Sequence, residues 1–389
     1  MRAVVMDRIG EPVVVREVPD PTPPAGGVVV RVHATGLCRS DWHAWAGHDD
    51  VALPHVPGHE LAGVVAEVGT GVERWAVGDR VTVPFVCGCG RCSYCRSGDA
   101  QVCPRQQQPG FTHWGSFAEL VALHAADTNL VAVPDGVSFA AAASLGCRFA
   151  TAFRALTGRA RLEAGEWLTV VGAGGVGLSA VMIAKALGAH VVAVDRHQVA
   201  LDAARALGAD RVLLADDVPS ADRPVDDVAS ADRPVDDVPS GGRPTEGAPE
   251  DGVPADGQPG SDVAARVHEL TGGGSHVAVD AVGSERTCVD AVLSLRRRGR
   301  HVQVGLLPPV AGHPRVPMDR VIGWELDLLG SHGMAAADYP AMLALIASGA
   351  LRPQRLIERV VGLDEAAALL PGFDRASPAG MTMIDPLRG

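Results

Sequence analysis

Trp167–Ala184 is eighteen residues without a charge, a length at which a membrane span has to be weighed. Four glycines, at 172, 174, 175 and 177, interrupt the run and argue instead for a turn inside it. Before them Leu168–Val171 is an apolar β-type segment; after them Val176, Ala180, Ile183 and Leu187 recur at helical spacing until Gly188. The segment therefore predicts a buried strand, a tight turn and a helix. A strand buried on both faces needs parallel neighbours joined by crossover helices, so this unit constrains the whole fold. The downstream sequence supplies the neighbours. Strands are predicted at His190–Asp195, Arg211–Leu214, Val277–Ala281 and His301–Val304, and helices at Gln198–Leu207, Val263–Leu270 (capped by Asp262) and Glu285–Leu295. Alternation of this kind predicts an α/β chain with a doubly wound parallel sheet. The Arg296–Arg298 run reads as the cationic end of helix Glu285–Leu295, where it complements the macrodipole, rather than as a nucleic-acid patch.

The first 135 residues read differently. Short strands such as Val28–Val32, Gly63–Val68 and Arg80–Val83 are set off by Gly69, Gly71 and Gly78, which predicts a separate β domain. Residues 216–262 form a third kind of sequence. DDVPSADRPV, DDVASADRPV and DDVPSGGRPT repeat with a ten-residue period from 216 to 245, and the whole tract carries eight prolines and no aromatic residue. Such a segment has nothing to bury against the entropy of ordering, so a disordered insertion is expected. It holds thirteen acidic residues and three arginines, a net charge of −10 out of the chain's −12. The rest of the chain is nearly neutral, without the basic footprint of a nucleic-acid binder.

Gly172-x-Gly174-x-x-Gly177, with Gly175 inside the turn, follows a strand and opens a helix. Glycines so placed let a pyrophosphate approach the backbone at a helix N-terminus. Asp195 ends the next strand 23 residues after Gly172, where its carboxylate would bind ribose hydroxyls. That carboxylate repels a 2′-phosphate and so favours NAD over NADP, although Arg196 stands beside it.

Eight cysteines could mean disulfides, but Met1–Gly10 carries Arg2, Asp7 and Arg8 and no apolar signal segment, and five cysteines crowd between 87 and 103. A reducing cytoplasm with metal-bound thiolates fits this placement. Cys89-x2-Cys92-x2-Cys95-x7-Cys103 predicts a closed, structural S4 zinc site. Cys87 could stand in for Cys89, and an iron–sulfur cluster is the other alternative, although its last gap would be three residues rather than seven. Cys38 in GLCRSDWH, His59 in PGHELAG and Cys147 in LGCRF would give a zinc three ligands and an open fourth position, but spacing alone does not join them.

Together GLCRSDWH, PGHELAG, CGRCSYC, LGCRFATAF and VVGAGGVG resemble, in content and order, the zinc-dependent alcohol dehydrogenases of the medium-chain dehydrogenase/reductase superfamily. The resemblance spans nearly the whole chain outside 216–262. It implies a GroES-like β-barrel catalytic domain at 1–148, a Rossmann domain at 149–330 and a return to the catalytic domain at 331–389. It also implies two zinc ions: a catalytic one on Cys38, His59 and Cys147, and a structural one on Cys89, Cys92, Cys95 and Cys103. Relatives acting on polyols and threonine often carry Glu where Cys147 stands, so Cys147 implies the alcohol dehydrogenase branch. The implied chemistry is ionisation of a zinc-bound alcohol followed by hydride transfer to the nicotinamide ring. Ser40 would take the alcohol proton and pass it through the cofactor ribose to His43 and solvent. Asp41 would orient His59, and Glu60 would lie behind the metal. Arg39 would meet the pyrophosphate, with Thr151 and Val176 flanking the nicotinamide; Phe85, Trp45 and Asp49 are candidates for the pocket wall. Two departures stand out. AGMTMID near the C-terminus has no cation where several relatives place a second phosphate contact, and Arg148 puts a charge directly beside Cys147.

The expected activity is interconversion of an alcohol with its aldehyde or ketone, in a cytoplasmic homodimer or homotetramer with no nucleic-acid or membrane partner. An NADPH-dependent aldehyde reductase on the same fold, and a non-catalytic zinc-stabilised binding protein, are the alternatives.

Overall fold

The structure is a computed structural model and describes residues 1–215, 262–307, 312–375 and 380–388. The tract expected to be a disordered insertion lies outside the described residues except for Asp262, which opens helix Asp262–Thr271.

Strands β1 (Arg2–Val5) and β2 (Val14–Glu17) make a small antiparallel ribbon. A larger sheet follows, from β3 (Val28–Leu37), β4 (Glu60–Val68), β5 (Arg80–Thr82), β6 (Leu120–Leu123) and β7 (Val131–Ala132). The valine-rich β3 is its axis. It pairs along its length with β4, while its first half pairs β6 and its last residues pair a strand from the far end of the chain.

Six further strands are β8 (Trp167–Val171), β9 (His190–Asp195), β10 (Arg211–Leu214), β11 (Ser275–Asp280), β12 (Leu295–Gln303) and β13 (Asp327–Gly330). All pair in parallel, in the order β10-β9-β8-β11-β12-β13. Strand order reverses beside β8, the place where such sheets open a crevice for a dinucleotide. The uncharged run 167–184 is thus strand, turn and helix as expected, and among the described residues no helix is long and apolar enough to cross a membrane. Helix Gly175–Ala186 forms despite two glycines in its first turn because Leu178, Val181 and Ile183 are completely or almost completely buried. Each such burial is worth roughly 1.5–3 kcal/mol, against about 1 kcal/mol lost per interior glycine.

β14 (Ile357–Val361) and β15 (Met381–Ile384) then return to the first sheet, where fully buried β15 lies between β14 and β3.

One element departs from expectation. Helix Glu285–Leu293 stops early, and Arg296–Arg298 lie in β12 rather than at a helix end. Buried Leu295 and Val302 anchor that strand, Arg298 takes a positive φ, and the Arg297 guanidinium rests 4.9 Å over the Trp324 ring. Tertiary packing and cation–π contact, not the helix dipole, account for these arginines.

His113 lies beside His124, with ring centroids 5.3 Å apart, and near His55, and burial lowers the pKa of each, that of His113 to about 4. His113 folds neutral, so its stabilising contribution is present above the ordinary imidazole value and is lost as pH falls from about 6.5 towards 4. We expect the unfolding temperature to drop across that window and the drop to be shallower in His113→Gln. Superimposable curves for the two proteins would contradict this.

Candidate active site and metal centres

β3 ends at Leu37 and β4 begins at Glu60, paired so that Gly36 faces Glu60; Cys38 and His59 therefore emerge side by side. Cys147 arrives from a wide helical turn, Leu145–Phe149, whose Gly146 packs on the chain at Glu60; a Cβ at 146 would come within 3.2 Å of Glu60 Cα. The ligating atoms of Cys38, His59 and Cys147 lie within 4.8 Å of one another. One buried carboxylate organises two of them. Asp41 accepts hydrogen bonds from the Cys38 backbone N–H (2.8 Å), from Gly58 N–H (3.1 Å) and from His59 Nδ1 (3.0 Å). This fixes the His59 tautomer, with Nε2 as the acceptor. His59 Nε2 is buried and has no hydrogen-bond partner, a costly arrangement for a protein interior unless a metal takes the lone pair. The Cys147 thiol interacts with Cys38 strongly enough to hold Cys38 well below the usual thiol range, while Cys147 itself is held above it. Two sulfurs and one imidazole are a donor set that suits zinc.

Around these three, Ser40 Oγ is 3.9 Å from Cys38 Sγ, and His43 Nδ1 is 2.8 Å from His48 Nδ1 on the protein surface. Phe85 and Phe111 present their rings to His59 at centroid distances of 6.1 and 5.1 Å, and His332 stacks edge-on against Phe85. Phe111, His48 and His332 carry no motif that would single them out in the sequence. The Trp45 indole N–H donates to Glu11 O at 2.7 Å.

The second cluster is Cys89, Cys92, Cys95 and Cys103, whose four sulfurs also lie within 4.8 Å of one another. Cys92 caps helix Ser93–Arg96, its sulfur accepting from Cys95 N–H; Cys103 sulfur accepts from Cys89 and Arg105 N–H. Arg105 also donates to Cys89, which backbone N–H groups of Arg91 and Cys92 help to hold at a pKa of about 5. Sulfur separations of 3.4 and 3.6 Å from Cys92 to Cys95 and Cys103 are close to the roughly 3.8 Å expected around one tetrahedral zinc. Cys87 is not part of the group. It is buried, its thiol donates to Pro84 O, and burial pushes its pKa up to about 12.

Gly174 caps helix Gly175–Ala186 at the end of β8. Gly172 takes φ +93°, and a Cβ at Gly177 would sit 1.8 Å from Gly172 O, so neither position accepts a side chain. Asp195 closes β9 with its carboxylate aimed at the turn, accepting from Ala173 N–H at 2.7 Å and His197 N–H at 2.8 Å. Val176 is half-buried in the first turn of that helix, and Thr151 is buried in helix Ala150–Arg154, which packs on it. Arg39 opens helix Arg39–Ala46, its guanidinium 5.3 Å above the Trp42 ring.

The sequence matches two protein families, the alcohol dehydrogenase GroES-like domain at residues 24–135 and the zinc-binding dehydrogenase family at 175–236 and 253–348. An alcohol dehydrogenase of Geobacillus stearothermophilus is 43% identical over 218 residues, 55% of this chain; the match spans about 63% of that relative's length. Alcohol dehydrogenase 2 of Caenorhabditis elegans is 30% identical over 308 residues, covering 78% of this chain and 75% of the relative. A crystal structure of an NAD-dependent alcohol dehydrogenase superposes with a TM-score of 0.79 at 28% identity, covering 99% of both chains.

Proposed function

The chain belongs to the zinc-binding alcohol dehydrogenases of the medium-chain dehydrogenase/reductase superfamily, and from that premise we propose that it exchanges hydride between NAD and a primary or secondary alcohol. The observation that carries the reading is the convergence of Cys38, His59 and Cys147 with His59 Nε2 buried and unpartnered. Bound there, zinc would supply Lewis acidity to the substrate oxygen, and the nicotinamide of a bound NAD would supply the hydride acceptor. The protein's own part is positioning and proton transfer. Asp41 holds His59 and the start of helix Arg39–Ala46 in register. Ser40 stands next to Cys38 and would accept the alcohol proton, and His43, hydrogen-bonded to exposed His48, would return it to solvent. Phe85 and Phe111 line the metal side with apolar rings that exclude water.

The glycine turn would receive the diphosphate together with Arg39, and Asp195 the adenosine ribose, with Thr151 and Val176 beside the nicotinamide. The four-cysteine cluster would hold a second, structural zinc. On this reading residues 1–148 form the catalytic domain, 149–330 the dinucleotide domain and 331–389 the return. Eight free cysteines, six of them in the two clusters, fit a reducing cytoplasm. A homodimer or homotetramer is supported by β13, which among the described residues is the edge of its sheet, with Leu328 exposed on it and Ile322 just before it.

A retired enzyme serving only as a binding scaffold would have no physical need for Cys38, Ser40, His43, His59 and Cys147 together. A panel of alcohols and aldehydes followed by NADH absorbance tests the activity. The same assay tests cofactor choice. Because Asp195 faces the turn, kcat/KM with NAD should exceed that with NADP by at least about tenfold, the effect of one unfavourable charge contact. A preference for NADP would favour the aldehyde-reductase reading.

A further inference from the structure

We propose that Arg148 is a dinucleotide-binding residue: Glu60 holds one edge of its guanidinium, and the other edge meets the cofactor diphosphate at the start of helix Gly175–Ala186. The proposal rests on the dehydrogenase reading and deepens it.

Arg148 is only 6% exposed, and Glu60 is fully buried. Glu60 takes the Arg148 backbone N–H at 3.0 Å, Nε at 3.0 and 3.2 Å, and Nη2. A buried ion pair of this kind adds little stability over apolar residues of the same volume, so stability alone does not explain it. Nη1 takes no part in the pairing. The direction of the side chain is set by Gly175: a Cβ there would lie 2.5 Å from Arg148 Cδ and 3.3 Å from Nη1. The arginine stem thus lies against the first residue of the helix, and the missing side chain at 175 is what admits it.

That helix start offers unpaired N–H groups and the positive end of the macrodipole, both of which favour an anion. A guanidinium edge beside them adds the planar, two-pronged donor geometry that phosphate oxygens accept best. Arg148 also cancels the charge of Glu60, which would otherwise repel a diphosphate. Residues 379–385, AGMTMID, which include β15, contain no lysine or arginine of their own. Arg148, together with Arg39, supplies the positive charge.

The test is calorimetric titration of the zinc-containing protein with NADH and with ADP-ribose, which keeps the diphosphate and lacks nicotinamide. Wild type is compared with Arg148→Gln, with Arg148→Lys and with the double variant Arg148→Gln/Glu60→Gln, which leaves no stranded charge; zinc content and unfolding temperature are measured on the same samples. Loss of one charge-assisted contact should weaken both ligands by about ten- to a hundredfold, and by the same factor, with zinc content unchanged. A purely structural role would lower the unfolding temperature and leave both affinities alone, which would overturn the proposal, as would a loss confined to NADH. Should the neutral variants shed zinc, Arg148→Lys decides the matter: it keeps Glu60 compensated but loses the fork, so weaker ADP-ribose binding supports the contact and unchanged binding refutes it. A wild type that binds neither ligand removes the dehydrogenase reading and this proposal with it, whereas normal wild-type binding with indifferent variants removes this proposal alone.

Discussion

Cys147→Ala is expected to lose turnover by about a thousandfold or more while keeping its fold. Lewis-acid stabilisation by a held metal is worth several kcal/mol, and each 1.36 kcal/mol is a factor of ten in rate. With only Cys38 and His59 left, the metal is held by two side chains, and zinc sites of either kind ordinarily need at least three. The fold should survive because the turn carrying Cys147 is held by other groups. Phe85 N–H donates to Gly146 O, Arg148 N–H donates to Glu60, and Leu145 and Phe149 are fully buried on either side. Cys147 itself is only partly buried, so removing one sulfur leaves a small cavity. Metal analysis should find one zinc per chain in place of two, and the circular dichroism spectrum should match wild type. Retained activity would refute the ligand assignment.

Cys92→Ser should do the reverse, damaging stability far more than chemistry. Helix Ser93–Arg96 buries none of its residues, and Tyr94 is half exposed, so the segment has almost no core of its own. What orders it is the convergence of four sulfurs and the N–H groups that point at them. Structural zinc contributes on the order of 10 kcal/mol in small domains, and losing even a third of that would lower the unfolding temperature of a chain this size by roughly 4 °C. We expect early proteolysis within residues 87–105 and near-normal kcat for the molecules that remain folded. A soluble variant as stable as wild type yet inactive would contradict the structural role.

How readily each part could be read from the sequence follows from how local its physics is. The strand–turn–helix at 167–187 announces itself because glycine positions, apolar spacing and Gly188 all lie within two dozen residues. The four-cysteine cluster is equally legible, since its ligands are close in sequence, although only the structure separates Cys87 from the set. The open metal centre is not local. Cys38, His59 and Cys147 meet through the β3–β4 register and a wide helical turn, neither of which has a short-range signature; only the family resemblance united them. The Arg148–Glu60 pair, 88 residues apart, left just one trace, a charge standing where none was expected. The Arg296–Arg298 run misled because a helix-end explanation was available locally, whereas strand β12 is set by its neighbours in the sheet and by Trp324. Tertiary pairing overrode local propensity there.

The central claim is that three side chains from separate elements hold one zinc ion. Anomalous diffraction at the zinc absorption edge tests it most directly. Two peaks per chain are expected, one enclosed by Cys89, Cys92, Cys95 and Cys103 and the other at about 2.0–2.3 Å from Cys38 Sγ, His59 Nε2 and Cys147 Sγ. An active protein whose crystals show only the first peak would contradict it.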